Sequence, residues 1–273
     1  MLVNLNDVLL PAKQKSYAVG LFNTINAELA SGVFAAAEEL RSPIIIGTAE
    51  VLLPFGALEE LSYLLLPMAK RATVPVVLHF DHGTTLENTV KAIELGFSSV
   101  MFDRSDRPFD ENLKEVAELT KYAHSKGVTV EAELGHVGTG DDLGFLTDPD
   151  TAREFTLKTQ VDALAVSIGT VHGPYLKKPS LNLDILEKIK NQVDVPLVLH
   201  GGSGLTDEQF KECIKRGISK VNIFTDINRA AAKAAAEKYR NGCGMTDLIP
   251  DMVEAVKVAT KEKILIFGSD NKI

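Results

Sequence analysis

Eight times along 273 residues, a short run of β-branched and other apolar residues gives way to a longer segment with apolar residues at three-to-four spacing. That alternation marks repeated βα units, in which parallel strands form one sheet and helices cover it. Strands are predicted over Tyr17–Phe22, Pro43–Gly47, Val74–His79, Ser98–Phe102, Val128–Glu133, Ala163–Ile168, Val195–Leu199 and Lys220–Ile223. Helices are predicted over Asn26–Leu40, Ala57–Arg71, Thr85–Leu95, Asp110–Lys126, Asp150–Lys158, Asp207–Arg216 and Asp226–Tyr239. Eight units close a sheet on itself, and about 250 residues suffice for such a barrel. Residues 1–273 are therefore read as a single α/β domain, a TIM (β/α)8 barrel. An extra N-terminal helix interrupted by Pro11 is expected over Asn4–Lys15, and a terminal helix over Pro250–Lys261 ahead of an apolar run at Ile264–Gly268.

A net charge of −8 without a long basic run argues against a phosphate-tracking nucleic-acid protein and favours small metabolites as partners. The cysteines, Cys213 and Cys243, are too few for a disulfide framework or a cysteine-rich metal site. No stretch approaches the roughly 18 uncharged apolar residues of a membrane span. The chain is expected to be soluble and cytoplasmic, with no membrane partner.

Three strand ends carry the chemistry: L-H-F-D-H at Leu78–His82, V-H-G at Val171–Gly173 and L-H-G-G-S-G at Leu199–Gly204. In a parallel barrel the C-terminal strand ends share one face, so His82, His172 and His200 converge and can bind one metal. Three imidazoles with a fourth position open form a catalytic zinc arrangement, whereas structural zinc is closed by four protein ligands. Asp81 would stand beside that metal, where a carboxylate can move protons on a polarised substrate. Glu133, inward at its strand end, can meet a cation; Asp103 ends the preceding strand similarly. His79 shares its side of the strand with Asp81 and is read as a supporting or core residue.

Gly201–Gly204 and Asn222–Asp226 each precede a predicted helix. Their backbone N–H groups, with the hydroxyls of Ser203 and Thr225, can cradle phosphate, because the loops after strands seven and eight are the common phosphate site of this fold. The glycine- and aspartate-rich stretch Gly135–Asp148 reads as a functional loop after the fifth strand.

Nearly the full length resembles the class II, zinc-dependent ketose-bisphosphate aldolases, which include the fructose- and tagatose-bisphosphate enzymes. The resemblance runs from A-V-G-L-F-N-T-I-N-A-E through H-F-D-H-G, V-E-A-E-L-G, L-T-D-P-D-T-A-R-E-F, V-D-A-L-A-V-S-I-G-T-V-H-G-P-Y and H-G-G-S-G-L to V-N-I-F-T-D. It implies that His82, His172 and His200 hold the catalytic zinc, with Glu133 and Asp103 near an alternative metal position. It implies that Asp81 exchanges a proton with the C4 hydroxyl and that Asp141, matching a loop glutamate of the family, takes the C3 proton. Gly173, Gly201, Ser203 and Thr225 match positions that hold the ketose 1-phosphate, and Asn222 and Asn23 match substrate-contacting positions. A monovalent cation (Na+ or K+) and a homodimer or homotetramer are also implied.

The expected reaction is reversible cleavage of a phosphorylated ketose to dihydroxyacetone phosphate and an aldehyde. Three departures bear on the substrate: Ala49 replaces a frequent serine, Leu176 a frequent lysine for which Lys177 or Lys178 can substitute, and Phe224 a frequent aspartate. Arg104 and Asp106 alter the family's usual sequence after the fourth strand. The alternative is a catalytically silent, sugar-phosphate-binding or regulatory homologue. A zinc hydrolase on the same barrel is disfavoured because the first strand has no H-x-H pair.

Overall fold

The computed structural model describes residues 1–138, 144–173 and 179–273. All eight expected strands form: β2 (Val19–Asn23), β3 (Ile44–Ala49), β4 (Val76–Gly83), β5 (Ser99–Phe102), β6 (Thr129–Leu134), β7 (Ala163–Val166), β8 (Leu197–Leu199) and β9 (Ile218–Ile223). Each pairs in parallel with its neighbours, and β2–β9 and β4–β5 pairing complete one closed ring. The chain is a single-domain TIM barrel. A further strand, β1 (Leu2–Val3), pairs with Val76 and Val77 of β4, ahead of the point where β5 joins at His79↔Ser99. It occupies the lower part of the β5 slot.

The covering helices are α2 (Ala27–Glu39), α3 (Leu58–Arg71), α4 (Leu86–Glu94), α5 (Phe109–Ser125), α6 (Pro149–Thr159), α7 (Leu183–Gln192), α8 (Asp207–Lys215), α9 (Thr225–Lys238) and α10 (Met245–Phe267), while α1 (Leu5–Lys15) precedes the barrel. Helix α1 runs through Pro11 and α10 through Pro250. In each the carbonyl deprived of its N–H partner belongs to an exposed residue, Asp7 or Thr246, where solvent can supply the missing donor. Helix α10 therefore absorbs both the expected terminal helix and most of the apolar run after it. Helix α7 is not among the predicted segments. No helix among the described residues is long and apolar enough to cross a membrane.

Alternation along the strands separates two cores. Outward residues such as Ile44, Ile46, Val76, Leu78, Phe80, Val100 and Leu164 pack under the helices. Inward residues of the lower barrel, Val19, Leu21, Ile45, Val77, Met101, Ala163, Ala165 and Val198, form a second cluster with Leu5, Val8, Leu9 and Ala12 of α1. Thus α1 plugs the bottom of the barrel, leaving the upper interior to polar side chains. Truncating the plug in Leu9→Ala, a fully buried position, should cost about 3 kcal/mol by cavity formation, measured by denaturant unfolding. An unchanged midpoint would show that α1 does not carry the lower core.

Candidate active site

Above the apolar plug lies a layer of buried polar groups. Lys220 of β9 and Glu131 of β6 are fully buried and form an ion pair at 2.8 Å across the barrel. Burial opposes ionisation of Glu131, but the Lys220 ammonium and the His200 hydrogen bond prevail and draw its pKa down to about 2. His79, also buried, meets Ser99 through Nδ1 at 2.8 Å and is held near pKa 3 by burial and by Lys220. The ammonium of Lys220 also donates to Asn222 Oδ1 at 2.8 Å.

That bond orients the next layer. An ammonium only donates, so Asn222 turns its oxygen down and its amide N–H groups up. Its Nδ2 donates to Asp81 at 3.0 and 3.2 Å, and Asn23 Nδ2 donates to Asp81 Oδ2 at 2.7 Å. Burial penalises the Asp81 charge, but His82 and Lys220 outweigh it and hold the carboxyl well below the usual range. Asp81 is an ionised carboxylate, gripped from two sides and buried.

Asp81 and His82 are consecutive, and consecutive strand residues point to opposite faces. Both nevertheless face the mouth, because β4–β5 register shifts between Phe80 and Gly83 and His82 takes a left-handed φ of 44°. Such a bulge re-aims a side chain. His82 Nδ1 is 2.8 Å from Asp103 Oδ2, while its Nε2 is 2.7 Å from His200 Nδ1. His200 Nε2 is 2.9 Å from Glu131 Oε1, so carboxylates grip the outer nitrogens of both rings. The rings of His82, His172 and His200 stand edge to face, with centroids 4.4 to 5.8 Å apart.

One nitrogen from each of the three histidines lies within 4.8 Å of the others, a spacing able to hold one metal ion; His82, Asp103 and Glu133 form a second such group. These donor atoms have electrostatic and hydrogen-bonding demands that the described side chains do not meet. His172 Nε2 and Glu133 Oε2 are buried without a hydrogen-bond partner among the described residues. Burial opposes a proton on His82, yet Asp81 and Asp103 push its pKa up to about 10. Burial and the nearby Asp103 raise Glu133 to about 8. The carboxylates of Asp81 and Asp103 that favour positive charge on His82 would equally favour a cation there. The donor set, three imidazoles flanked by carboxylates, fits zinc.

The predicted residues Asn23, Asp81, His82, Asp103, His172, Gly173, Gly201, Ser203, Asn222 and Thr225 line one cavity of about 680 Å³ at the C-terminal mouth. His200 and Glu133 lie buried beside it. Gly201 has φ +66°, and a Cβ there would fall 2.4 Å from Val171 O. Helix α9 begins at Thr225 without a capping side-chain hydrogen bond, leaving its first-turn N–H groups for an anion. Asp226 in that turn is engaged by Lys263 at 2.8 Å. Asp141 lies outside the described residues, as do Leu176, Lys177 and Lys178.

Sequence reasoning missed Lys220, whose signal is an inward lysine two residues before an inward asparagine. It also missed Glu50, on the 3-10 turn Glu50–Phe55, which accepts bonds from the backbone of Thr85 at 3.0 Å and the side chain of Asn88 at 2.6 Å. Lys220→Met, which strands the Glu131 charge, should cost about 3–5 kcal/mol in denaturant unfolding. Lys220→Met/Glu131→Gln should recover most of that loss, since glutamine still accepts from His200. Equal loss in both variants would remove the pair as the cause.

Residues 3–272 match the model of the family described as fructose-bisphosphate aldolase class-II. The chain is similar to YdjI of Escherichia coli K12, 41% identical over 267 residues that cover 96% of this chain and 95% of that protein. The crystal structure of the YdjI aldolase superposes with a TM-score of 0.93 at 40% identity, covering 100% of this chain and 99% of the other. A fructose-bisphosphate aldolase of Staphylococcus aureus is 37% identical over 287 residues, 99% of each chain. Likeness of that extent shows that this chain belongs to the class II fructose-bisphosphate aldolase family.

Proposed function

We propose that the protein catalyses reversible, zinc-dependent aldol cleavage of a phosphorylated ketose, releasing dihydroxyacetone phosphate and an aldehyde. The observation that carries this reading is the meeting of His82, His172 and His200 beside an ionised Asp81. The three histidines would hold zinc, with Asp103 and Glu133 as a flanking position. Bound there, zinc supplies the positive charge that draws electrons from the breaking C3–C4 bond.

Asp81 accepts the proton of the C4 hydroxyl as that oxygen becomes the aldehyde carbonyl. Asn222 and Asn23 hold the carboxylate in place for the transfer, so no reorientation is needed in the transition state. Asp141 is the proposed acid that returns a proton to C3. Gly173, Gly201, Ser203 and Thr225 receive the 1-phosphate at the start of α9. The resemblance extends the proposal to a monovalent cation (Na+ or K+), a homodimer or homotetramer, and a cytoplasmic location.

Purified protein should release dihydroxyacetone phosphate from at least one ketose phosphate in a panel, and a chelator should abolish the release. Asp81→Asn should lower kcat by about 10³-fold, within the range of general acid–base catalysis, without loss of zinc. His82→Ala should lose zinc as well. Stoichiometric zinc without release, and without solvent exchange of the C3 proton of dihydroxyacetone phosphate, would favour the silent sugar-phosphate-binding homologue.

A further inference from the structure

We infer that the aldehyde half of the substrate carries no phosphate: the ketose is a 1-phosphate whose chain beyond C4 lies against an apolar wall. This rests on the aldol reading above and narrows its substrate class.

In the ring of eight strands β3 stands opposite β7. The phosphate cradle follows β7, β8 and β9, so the loop after β3 faces it across the histidines. The end of β3 and that loop present Ala49, Val51 and Leu52 to the cavity, and Phe224, beside Thr225 of the cradle, adds an aromatic side chain to the lining. Val51 is 76% exposed in the chain, a large apolar surface at the site. Among the described residues no lysine or arginine lines the cavity.

The charge on this side is negative. Glu50 lines the cavity too, and its carboxylate is fixed by Thr84, Thr85 and Asn88. Burial raises its pKa less than these hydrogen bonds lower it, so it stays ionised. Arg104, on the loop after β5, is engaged by Glu115 and by the Thr84 carbonyl at 3.1 Å.

A phosphate monoester carries about −1.5 to −2 charges at neutral pH. Moved against this wall, it would lose hydration, gain no cation among the described residues and approach Glu50. A neutral chain end loses nothing comparable and covers Val51 and Leu52. The cavity therefore offers one anion subsite and one apolar subsite, which suits a monophosphate and opposes a bisphosphate.

The test is kcat/KM for aldol addition of dihydroxyacetone phosphate to glyceraldehyde 3-phosphate, glyceraldehyde and lactaldehyde. At least one unphosphorylated aldehyde should exceed glyceraldehyde 3-phosphate by tenfold or more. Val51→Arg, at an exposed position, should move that ratio towards glyceraldehyde 3-phosphate by about tenfold. Preference for glyceraldehyde 3-phosphate in the unaltered protein, or an unmoved ratio in the variant, overturns the inference. Chelator-sensitive exchange of the C3 proton of dihydroxyacetone phosphate, measured without aldehyde, separates the two levels. Exchange with the wrong preference removes only the monophosphate assignment, whereas neither exchange nor addition removes the aldol reading and this inference with it.

Discussion

Water does not reach the middle of a closed barrel, so a charge placed there must find its counter-charge on another strand. Lys220 and Glu131 meet that demand at 2.8 Å, and the site above them inherits its orientation from this pair. Turning Asn222 over would set its amide hydrogens against the ammonium and its oxygen against Asp81. Both contacts would be repulsive, so one lysine fixes which end of the amide reaches the carboxylate. Through Glu131 the same lysine favours a proton on His200 Nε2 and leaves Nδ1 to face His82. A pair of this kind contributes little net stability, because desolvation offsets its attraction. Its value here is geometric.

His82 shows where that geometry is strained. A left-handed φ at a residue with a side chain costs about 1 kcal/mol or more and persists only where surrounding contacts over-determine it. Asp103 and His200 hold the ring from its two nitrogens, and pairing resumes at Gly83↔Phe102. The strain lets two neighbours in sequence, Asp81 and His82, face the same mouth. A regular strand would bury one of them beneath the helices.

The eight barrel strands were legible as short β-rich runs bounded by turns, and His82 and His200 because each stands at or just after such a run, whereas His172 lies six residues past the end of β7 at Val166. Other features have no such signature. Strand β1 is two residues long and exists only because β4 begins before β5 does. Helix α7 buries just Leu186 and Ile189, a weak periodic signal in ten residues. Pro11 suggested a break and Pro250 a helix start because sequence does not tell whether a freed carbonyl lies at an exposed residue, and both lie inside helices. Lys220 read as an ordinary strand residue, since only the closed ring brings β9 and β6 to face one another. The histidine convergence likewise needed the ring, but strand-end position announced it; the bulge that turns His82 inward had no comparable sign.

The proposed reaction chemistry and the proposed substrate fit occupy different kinds of structure in this molecule. Asp81, Glu131, Glu133 and Asn222 sit on strands whose positions are set by two packed cores. Val51 and Leu52 sit on the 3-10 turn after β3 and belong to neither core. The wall is nevertheless not loose. Glu50 binds Thr84, Thr85 and Asn88, at the junction of β4 and α4, and β4 carries Asp81 and His82. The surface that would receive the carbon chain is therefore braced to the strand that carries the proposed proton acceptor. On the proposed reading, the distance between chain end and reacting carbon would be a property of one frame, and side-chain size at Val51 and Leu52 would select the aldehyde without moving the Asp81 carboxylate.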